Sequence, residues 1–215
     1  MNWSVITEYL PNFIYGVYLT LRLSVLATLV AIVIGTIAGL GRISKNRLVF
    51  YVTTAYVEFI RGIPLLVFLM FIYFGIGNFI NMSGFTAAVV GLGVFAGSFV
   101  AEIVRAGIQS IPKGQMEAAR SSGMTYLMAM RLIILPQALR SILPPLANQF
   151  ISLIKDSSLV MVIGVADLTL QARNVIVATF RSFEVWIFTA ILYFAMTFSL
   201  SQLSRLLERR AQVDH

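Results

Sequence analysis

Residues 13–40, FIYGVYLTLRLSVLATLVAIVIGTIAGL, form an apolar run that contains one charged residue, Arg22. A helix needs about 20 mostly apolar residues to cross the hydrocarbon core of a bilayer. A cleaved signal peptide has a shorter apolar core, of about 7–15 residues, preceded by basic residues. Residues 1–12 contain Glu8 and neither lysine nor arginine. The run therefore predicts a permanent membrane span.

Four further apolar runs follow, at residues 48–80, 85–111, 136–154 and 183–206. Of the 215 residues, 59% are hydrophobic and 12% charged, whereas soluble domains average about half apolar and about a quarter charged. Lipid must serve as the solvent for much of this surface, and backbone polar groups in lipid need partners within the protein. We expect an all-α, polytopic membrane protein with about five transmembrane helices, folded as one transmembrane domain over residues 1–215.

Lysine and arginine cluster in alternate connections between these runs. The connections at residues 1–12 and 77–84 have none, and three basic residues in 155–181 are nearly balanced by two aspartates. Cytoplasmic connections carry the excess of basic residues. This pattern predicts an N-terminus outside and a C-terminus in the cytoplasm, with these basic residues inside: Arg42, Lys45 and Arg47; Lys113, Arg120 and Arg131; Arg205, Arg209 and Arg210.

Several classes of function lack the residues they need. Cysteine is absent and the single histidine is the last residue, His215, so we expect no metal site and no catalytic residues. The phosphate-binding motif Gly-x-x-x-x-Gly-Lys-Ser/Thr does not occur. The net charge of +7 lies between apolar runs without interleaved aromatic residues, which argues against nucleic-acid binding. We expect neither an enzyme nor a cofactor in this chain.

Two pairs of glycines stand four residues apart, Gly35 with Gly39 and Gly93 with Gly97. Small residues at this spacing let two helices approach closely in lipid. The alternative is that glycine is simply frequent in membrane helices.

Residues 111–136, IPKGQMEAARSSGMTYLMAMRLIILP, are too polar to span a membrane yet have a helical pattern. Gly123 interrupts this pattern and predicts two short helices joined at a bend. The segment could lie on the bilayer surface or dock into a groove of a partner. The apolar positions recur in steps of three and four residues: Met116, Ala119, Gly123, Tyr126, Met130 and Ile133.

The same segment resembles the EAA loop of the permeases of ABC importers. The match consists of Glu117-Ala118-Ala119, Gly123 after three residues, and Ile133-x-Leu135-Pro136 after nine more. The resemblance implies coupling helices that fit a cleft in an ATP-binding subunit. Glu117 would make a polar contact, Ala118 and Ala119 would form a close-packing face, and Gly123 would supply the bend.

Three further stretches resemble the polar amino-acid uptake branch of that family, so that the similarity covers residues 13–207. They are YVEFIRGIPLL (56–66), AEIVRAGI (101–108) with PKGQ (112–115), and IKDSSL (154–159). The resemblance adds Lys113 and Gly114 to the coupling residues. This sequence departs from the family pattern at Ser157, where threonine is common, and at Ser98-Phe99, where a tyrosine often precedes the acidic residue.

The resemblance implies a type I ABC importer-like permease in a prokaryotic inner membrane. Its expected partners are ATP-binding-cassette ATPase subunits, which would bind the ATP and Mg, and a second permease subunit, identical or paralogous. An extracytoplasmic amino-acid-binding protein and the lipid bilayer complete the set.

Glu58 lies ten residues past Leu48, so a straight helix would place it about 15 Å into the membrane. A carboxylate at that depth is costly unless it is paired or faces water. It could bind substrate, with Arg61 meeting the substrate carboxylate, or it could form an ion pair with Arg61 three residues on. Pro64 predicts a break in this helix beside a cavity.

A second polar face lies on the fourth span, after the bend expected at residues 144–145. We expect residues 157–166 to form a short re-entrant segment, because their apolar run is too short to cross. Polar packing between subunits is the alternative to a substrate site. Glu102 and Arg105 form either a structural ion pair or an inner gate. The candidate substrate-binding residues are Glu58, Arg61, Ser98, Asn148, Ser152, Lys155 and Asp156.

Together these features indicate a permease subunit that provides the alternating-access path for a polar amino acid, with a cationic one favoured. The rivals are a self-sufficient secondary transporter or channel subunit for a small polar solute, and a membrane-embedded enzyme. A secondary transporter normally shows an internal repeat, and an enzyme needs a nucleophile–base pair or metal ligands. The sequence shows neither feature.

Overall fold

The computed structural model describes residues 3–212, with side chains up to Arg205 in the last helix. His215 lies outside the described residues. A π-helix at Phe71–Gly77 continues the helix Leu65–Met70, and another at Met130–Ile134 joins Tyr126–Ala129 to Leu135–Asp156. A 3-10 helix at Ser157–Ile163 continues Leu135–Asp156. The α-helices are α1 (Ser4–Glu8), α2 (Leu10–Gly41), α3 (Arg47–Arg61), α4 (Leu65–Met70), α5 (Gly84–Gln109), α6 (Lys113–Ser121), α7 (Tyr126–Ala129), α8 (Leu135–Asp156), α9 (Leu168–Thr179) and α10 (Ser182–Gln212).

Four helical segments of the described chain are long and apolar enough to cross a membrane: Leu10–Gly41, Gly84–Gln109, Tyr126–Ile163 and Ser182–Arg205. They overlap the spans predicted at 13–40, 85–111, 136–154 and 183–206. The run predicted at 48–80 is a bent pair of helices, which makes a fifth candidate span if the pair counts as one.

The bent pair joins Arg47–Arg61 to Leu65–Gly77 at an angle of 106°. Pro64 has no N–H to donate and disfavours a helical conformation at Ile63. Pro64 has φ −59° and ψ 134°, which is an extended conformation. The break that Pro64 predicts is therefore present, and the structure adds its large angle.

The parallel helices α2 and α5 form the centre of the bundle through their glycines. A Cβ placed on Gly35 would lie 2.5 Å from Val100 Cβ and 2.7 Å from the carbonyl oxygen of Gly97. A Cβ on Gly39 would lie 2.7 Å from the carbonyl oxygen of Ala101. The glycine spacing therefore marks a real contact between helices, as predicted.

α8 runs antiparallel to α5 on its way across the membrane. A Cβ placed on Gly107, near the end of α5, would lie 2.3 Å from Ile142 in the first half of α8. A Cβ on Gly84, at the start of α5, would lie 3.2 Å from the carbonyl oxygen of Ile163. The prediction of a re-entrant segment at 157–166 is wrong, because the 3-10 helix extends α8 to the far end of α5.

The two ends of the bundle are formed by different residues. Lys45, in the connection after α2, and Tyr126 of α7 line one cavity of about 490 Å³, so the basic connections share an end. Gly84 and Ile163 mark the other end. Which of the two ends faces the cytoplasm stays a prediction.

α9 fills the segment between the last two spans and is fixed by a buried carboxylate. Asp167 is fully buried and accepts hydrogen bonds from the backbone N–H groups of Thr169 (3.1 Å) and Leu170 (2.9 Å) and from the Tyr193 hydroxyl (3.1 Å). Burial raises the pKa of Asp167 above its usual value, although these hydrogen bonds favour the ionised form. Asp167 thus caps α9 and ties it to α10.

We predict that Gly35→Ala destabilises the protein, because the added methyl group meets the backbone of Gly97 and the branched carbon of Val100. Overpacking of this kind costs about 1–3 kcal/mol. The measurement is the thermal unfolding of the purified protein in detergent. Gly114→Ala is the matched control, since a Cβ on Gly114 meets nothing within 4 Å. Equal melting temperatures for the two variants would show that α2 and α5 do not pack as described.

Candidate functional site

Three guanidinium groups converge on one carboxylate near the break between α3 and α4. Glu102 accepts hydrogen bonds from Nε (3.0 Å) and Nη2 (2.7 Å) of Arg105, three residues on. It also pairs with Nη1 of Arg42, the residue after α2, and with Nη1 of Arg61 at 3.4 Å. Glu102 therefore links α2, α3 and α5, and its predicted pairing with Arg105 is confirmed.

Glu58 stands at the edge of this cluster. Its carboxylate lies 3.4 Å from Nη2 of Arg42, and its side chain is 68% exposed. Arg61 pairs with Glu102 instead, and its guanidinium carbon lies 5.0 Å from the centre of the Phe99 ring. The Glu58–Arg61 pair, one of the two alternatives for Glu58, is therefore not formed, and Arg42 reaches Glu58 from the end of α2.

The cluster lies closer to one end of the bundle than a straight helix implies. Glu102 stands about 27 Å along α5 from Gly84 but only about 10 Å from Gln109, at 1.5 Å per residue. Arg42, which holds Glu58, directly follows α2. Glu58 therefore lies toward the Gln109 end of α5, and α3 and α4 meet at an angle of 106° where a straight helix was assumed. The depth of Glu58 in the membrane stays a prediction.

An open groove beside the cluster lies between α5 and α8. Glu102, Ala106 and Ser110 of α5 line one wall of a cavity of about 460 Å³, and Ser141 and Pro145 of α8 line the other. These contacts place the helical turn after Pro145 level with Glu102.

The candidate residues of α8 differ in exposure. Asn148, in the turn after Pro145, is exposed. Farther along the same helix, Ser152 and Asp156 are partly buried and Lys155 is exposed. Of the four candidate residues of α8, Asn148 is the one that follows Pro145 most closely along the helix.

Ser98 differs from the other candidates. Its side chain is fully buried, and its hydroxyl donates a hydrogen bond to the carbonyl oxygen of Phe95 at 2.7 Å. The hydroxyl is thus engaged by its own helix. Substrate binding by Ser98 stays a prediction, because this residue presents no exposed polar group.

The cluster contains three arginines and two glutamates, which leaves one positive charge in excess. Arg61 and Glu58 are its most exposed members, with side chains 41% and 68% exposed. They stand one helical turn apart on α3, so a guanidinium and a carboxylate are presented together. Such a pair can bind the carboxylate and the ammonium group of a zwitterion.

Sequence reasoning missed the role of Arg42, which it counted only as a basic residue of a connection. Its side chain is 11% exposed and contacts both Glu58 and Glu102. Its Nε is buried without a hydrogen-bond partner. The available signal was its position directly after a helix that contains the Gly35–Gly39 pair, because that helix packs against α5.

The loop between α5 and α8 folds into two short helices with a turn between them. Gly123 has φ +84°, a left-handed conformation that favours glycine, and Thr125 then caps α7. The predicted bend at Gly123 is therefore present. In α6, Ala118 is exposed and Ala119 is buried within the chain, so the two alanines do not form one outward face.

The loop presents charged and apolar side chains to its surroundings. Lys113, Gly114 and Glu117 of α6 are exposed, and Leu127 of α7 is 78% exposed. Leu135 is partly buried and Pro136 is exposed where α8 begins. Among the described residues, no three or more histidine, aspartate or glutamate side chains are grouped as metal ligands.

Comparisons with known proteins agree with this architecture. The family described as "Binding-protein-dependent transport system inner membrane component" matches residues 31–213. The "Probable glutamine ABC transporter permease protein GlnM" of Bacillus subtilis (strain 168) is 44% identical, over 100% of both chains. The "Glutamine transport system permease protein GlnP" of Escherichia coli (strain K12) is 42% identical, over 99% of this chain and 98% of that protein.

A solved structure has the same fold along almost the entire chain. It is described as an amino acid ABC transporter with histidines, and its chain is 45% identical to this one with a TM-score of 0.93. The match covers 98% of this chain and 99% of that one. The expectation of an all-α permease fold of the ABC importer type is confirmed.

We predict that Glu102→Gln lowers stability much more than Glu58→Gln. Removing the charge of Glu102 leaves three arginines around a partly buried amide, at a cost of about 3 kcal/mol. Glu58 is mostly exposed and has one contact, so its loss costs about 1 kcal/mol or less. Thermal unfolding in detergent measures the difference, which corresponds to about 5 °C or more in melting temperature. Similar melting temperatures for the two variants would contradict the central place of Glu102.

Proposed function

Because this chain belongs to the family of binding-protein-dependent transport system inner membrane components, we propose that it provides one half of the path by which a polar amino acid crosses the membrane. The chain is a multi-pass inner-membrane permease subunit of an amino-acid ABC transporter. The observation that supports the path is the exposed pair of Glu58 and Arg61 beside the break in the α3–α4 span.

A second permease subunit, identical or paralogous, supplies the other half of the path. Glu58, Arg61 and Asn148 are exposed on a surface that is otherwise largely apolar. Exposed charges in contact with lipid are costly, whereas charges that line a water-filled space between two subunits are not. A paired arrangement therefore turns these side chains toward a shared interior.

The loop of α6 and α7 couples this path to ATP-binding-cassette subunits, which bind the ATP and Mg and hydrolyse the ATP. Exposed Glu117 and Leu127 offer a charged and an apolar contact to such a subunit. The loop shares an end of the bundle with Lys45, and the ion-pair cluster lies toward that end. A movement of the loop thus reaches the Glu102 cluster through α5, which is continuous from Glu102 to Gln109. An extracytoplasmic amino-acid-binding protein delivers the substrate at the opposite end.

We predict that Gly123→Pro abolishes transport-linked ATP hydrolysis while the chain still inserts. Proline fixes φ near −65° and cannot adopt the φ of +84° found here. We expect substrate-stimulated ATPase activity of the reconstituted transporter to fall by about tenfold or more, equivalent to about 1.4 kcal/mol. Glu117→Lys, which reverses an exposed charge of α6, should have the same effect.

Gly123→Asn is the matched control, because asparagine tolerates the left-handed conformation better than other non-glycine residues. It should keep most of the stimulated activity. Full substrate stimulation in Gly123→Pro, at parental levels of assembled transporter, would rule out this loop as the coupling element.

The substrate is a polar amino acid whose carboxylate meets Arg61, and a cationic side chain that meets Glu58 is favoured. Support for an amino acid comes from the family and its relatives, and support for a cation comes from Glu58. That carboxylate has one ion-pair contact, at 3.4 Å, and is mostly exposed, so it is available to an ammonium or guanidinium group. Asn148 adds hydrogen-bonding capacity from α8, with Ser152, Lys155 and Asp156 farther along that helix.

We predict that Glu58→Gln reduces uptake of arginine, lysine and histidine by about tenfold or more, because hydrogen bonds to charged groups contribute about 1.5–3 kcal/mol. Uptake of radiolabelled amino acids into reconstituted vesicles measures this effect, with glutamine as the neutral comparison. An equal loss for glutamine would assign Glu58 to the ammonium group common to all amino acids. Unchanged arginine uptake would make Glu58 a structural ion-pair partner.

A further inference from the structure

Arg22 is a charged residue in the middle of an apolar helix, and the transport path does not use it. It is the only charged residue of α2 (Leu10–Gly41). Its side chain is exposed, and its guanidinium carbon lies 5.1 Å from the centre of the Phe85 ring. Within the described part of the chain it has no carboxylate within 4 Å. The ring therefore positions a guanidinium whose counter-charge the described residues do not provide.

Arg22 lies where the bundle meets the edge of the hydrocarbon core. Phe85 belongs to the first turn of α5, a helix of 26 residues and so about 39 Å long, against about 30 Å for the core. Tyr15 and Tyr18 stand seven and four residues before Arg22 on the same face of α2, and their side chains are 51% and 54% exposed. Aromatic residues of this kind favour the headgroup level of a membrane.

An open groove connects this polar end to an apolar surface. Its volume is about 400 Å³, and it is lined by Tyr18, Leu21, Arg22, Val25 and Leu26. Leu29, one turn beyond Val25, is 56% exposed and continues the apolar face along α2. A guanidinium and a phenol thus stand at one end of a strip of aliphatic side chains.

We propose that this groove is a binding site for an anionic phospholipid, with the headgroup phosphate on Arg22 and Tyr18 and an acyl chain along Val25 and Leu29. Arginine presents planar, paired donors that match a phosphate, and no carboxylate of residues 3–205 pairs with these donors. A net negative headgroup such as phosphatidylglycerol supplies the missing counter-charge, whereas phosphatidylcholine brings its own cation. The strip of aliphatic side chains below Arg22 fits an acyl chain and contains no side-chain group that would bind the carboxylate of a protein partner.

The experiment titrates phosphatidylglycerol into the assembled transporter in phosphatidylcholine nanodiscs and counts retained lipids by native mass spectrometry. We expect Arg22→Gln to weaken retention of phosphatidylglycerol by about fivefold, since a basic side chain contributes about 1 kcal/mol to binding of anionic lipid. Arg22→Lys should keep part of the retention. Arg140→Gln removes another exposed cation, at the start of α8, and should change little.

Three outcomes would overturn the proposal. One is equal retention of phosphatidylglycerol by Arg22→Gln and the parent. Another is equal retention of phosphatidylcholine and phosphatidylglycerol by the parent, which would leave no role for headgroup charge. The third is dissociation of the two permease subunits in both Arg22→Gln and Arg22→Lys, which would assign Arg22 to a protein interface.

Discussion

The close approach of α2 and α5 determines where the other helices can lie. At Gly35 the two backbones are so near that a methyl group would come within 2.7 Å of the Gly97 carbonyl oxygen. Lipid provides no hydrophobic force to hold helices together, so such packing and a few polar contacts must do so. The parallel pair then offers one surface to α3, where Val57 packs with Ala38 and Ala101.

Polar contacts orient α3 against the packed helices α2 and α5. The Tyr56 hydroxyl donates a hydrogen bond to the carbonyl oxygen of Val94 at 2.6 Å, and Arg42 and Arg61 reach Glu102 from α2 and α3. These contacts hold α3 across the bundle, and the chain turns by 106° before it completes the crossing. The consequence for function is that charged residues gather where the span is broken. The Glu102 side chain is 21% exposed and has a structural role in this cluster. The Glu58 side chain is 68% exposed and is available to a ligand.

The sequence predicted the spans because hydropathy and length are local properties that lipid imposes directly. It also predicted the breaks at Pro64 and Gly123, because proline and glycine restrict or permit particular backbone angles in any context. The bend angle at Pro64 could not be predicted, since it depends on the packing of Val57 and on Arg42. Contacts between residues 42, 58 and 102 depend on how helices pack, and nothing in the spacing of the sequence encodes them.

In the candidate site, too, some features could be predicted from the sequence and others could not. Glu58, Arg61 and Asn148 were chosen as candidates because polar groups are rare in apolar spans. All three side chains are exposed, which supports that choice. Ser98 was chosen by resemblance, and its hydroxyl is engaged by its own helix. Ala119 was assigned to a partner surface by resemblance, and it is buried within this chain.

The proposed transport mechanism requires a water-filled path at the Glu58 and Asn148 surface, and substrate protection of a single cysteine tests this most directly. The chain has no native cysteine, so Asn148→Cys introduces a unique thiol into this subunit. In the reconstituted transporter we expect this thiol to react with a small hydrophilic reagent and to be protected by a transported amino acid. Leu29→Cys, on the apolar face of α2, should stay unreactive. If Asn148→Cys is as unreactive as Leu29→Cys, or reacts at the same rate with and without substrate, the path does not pass this surface.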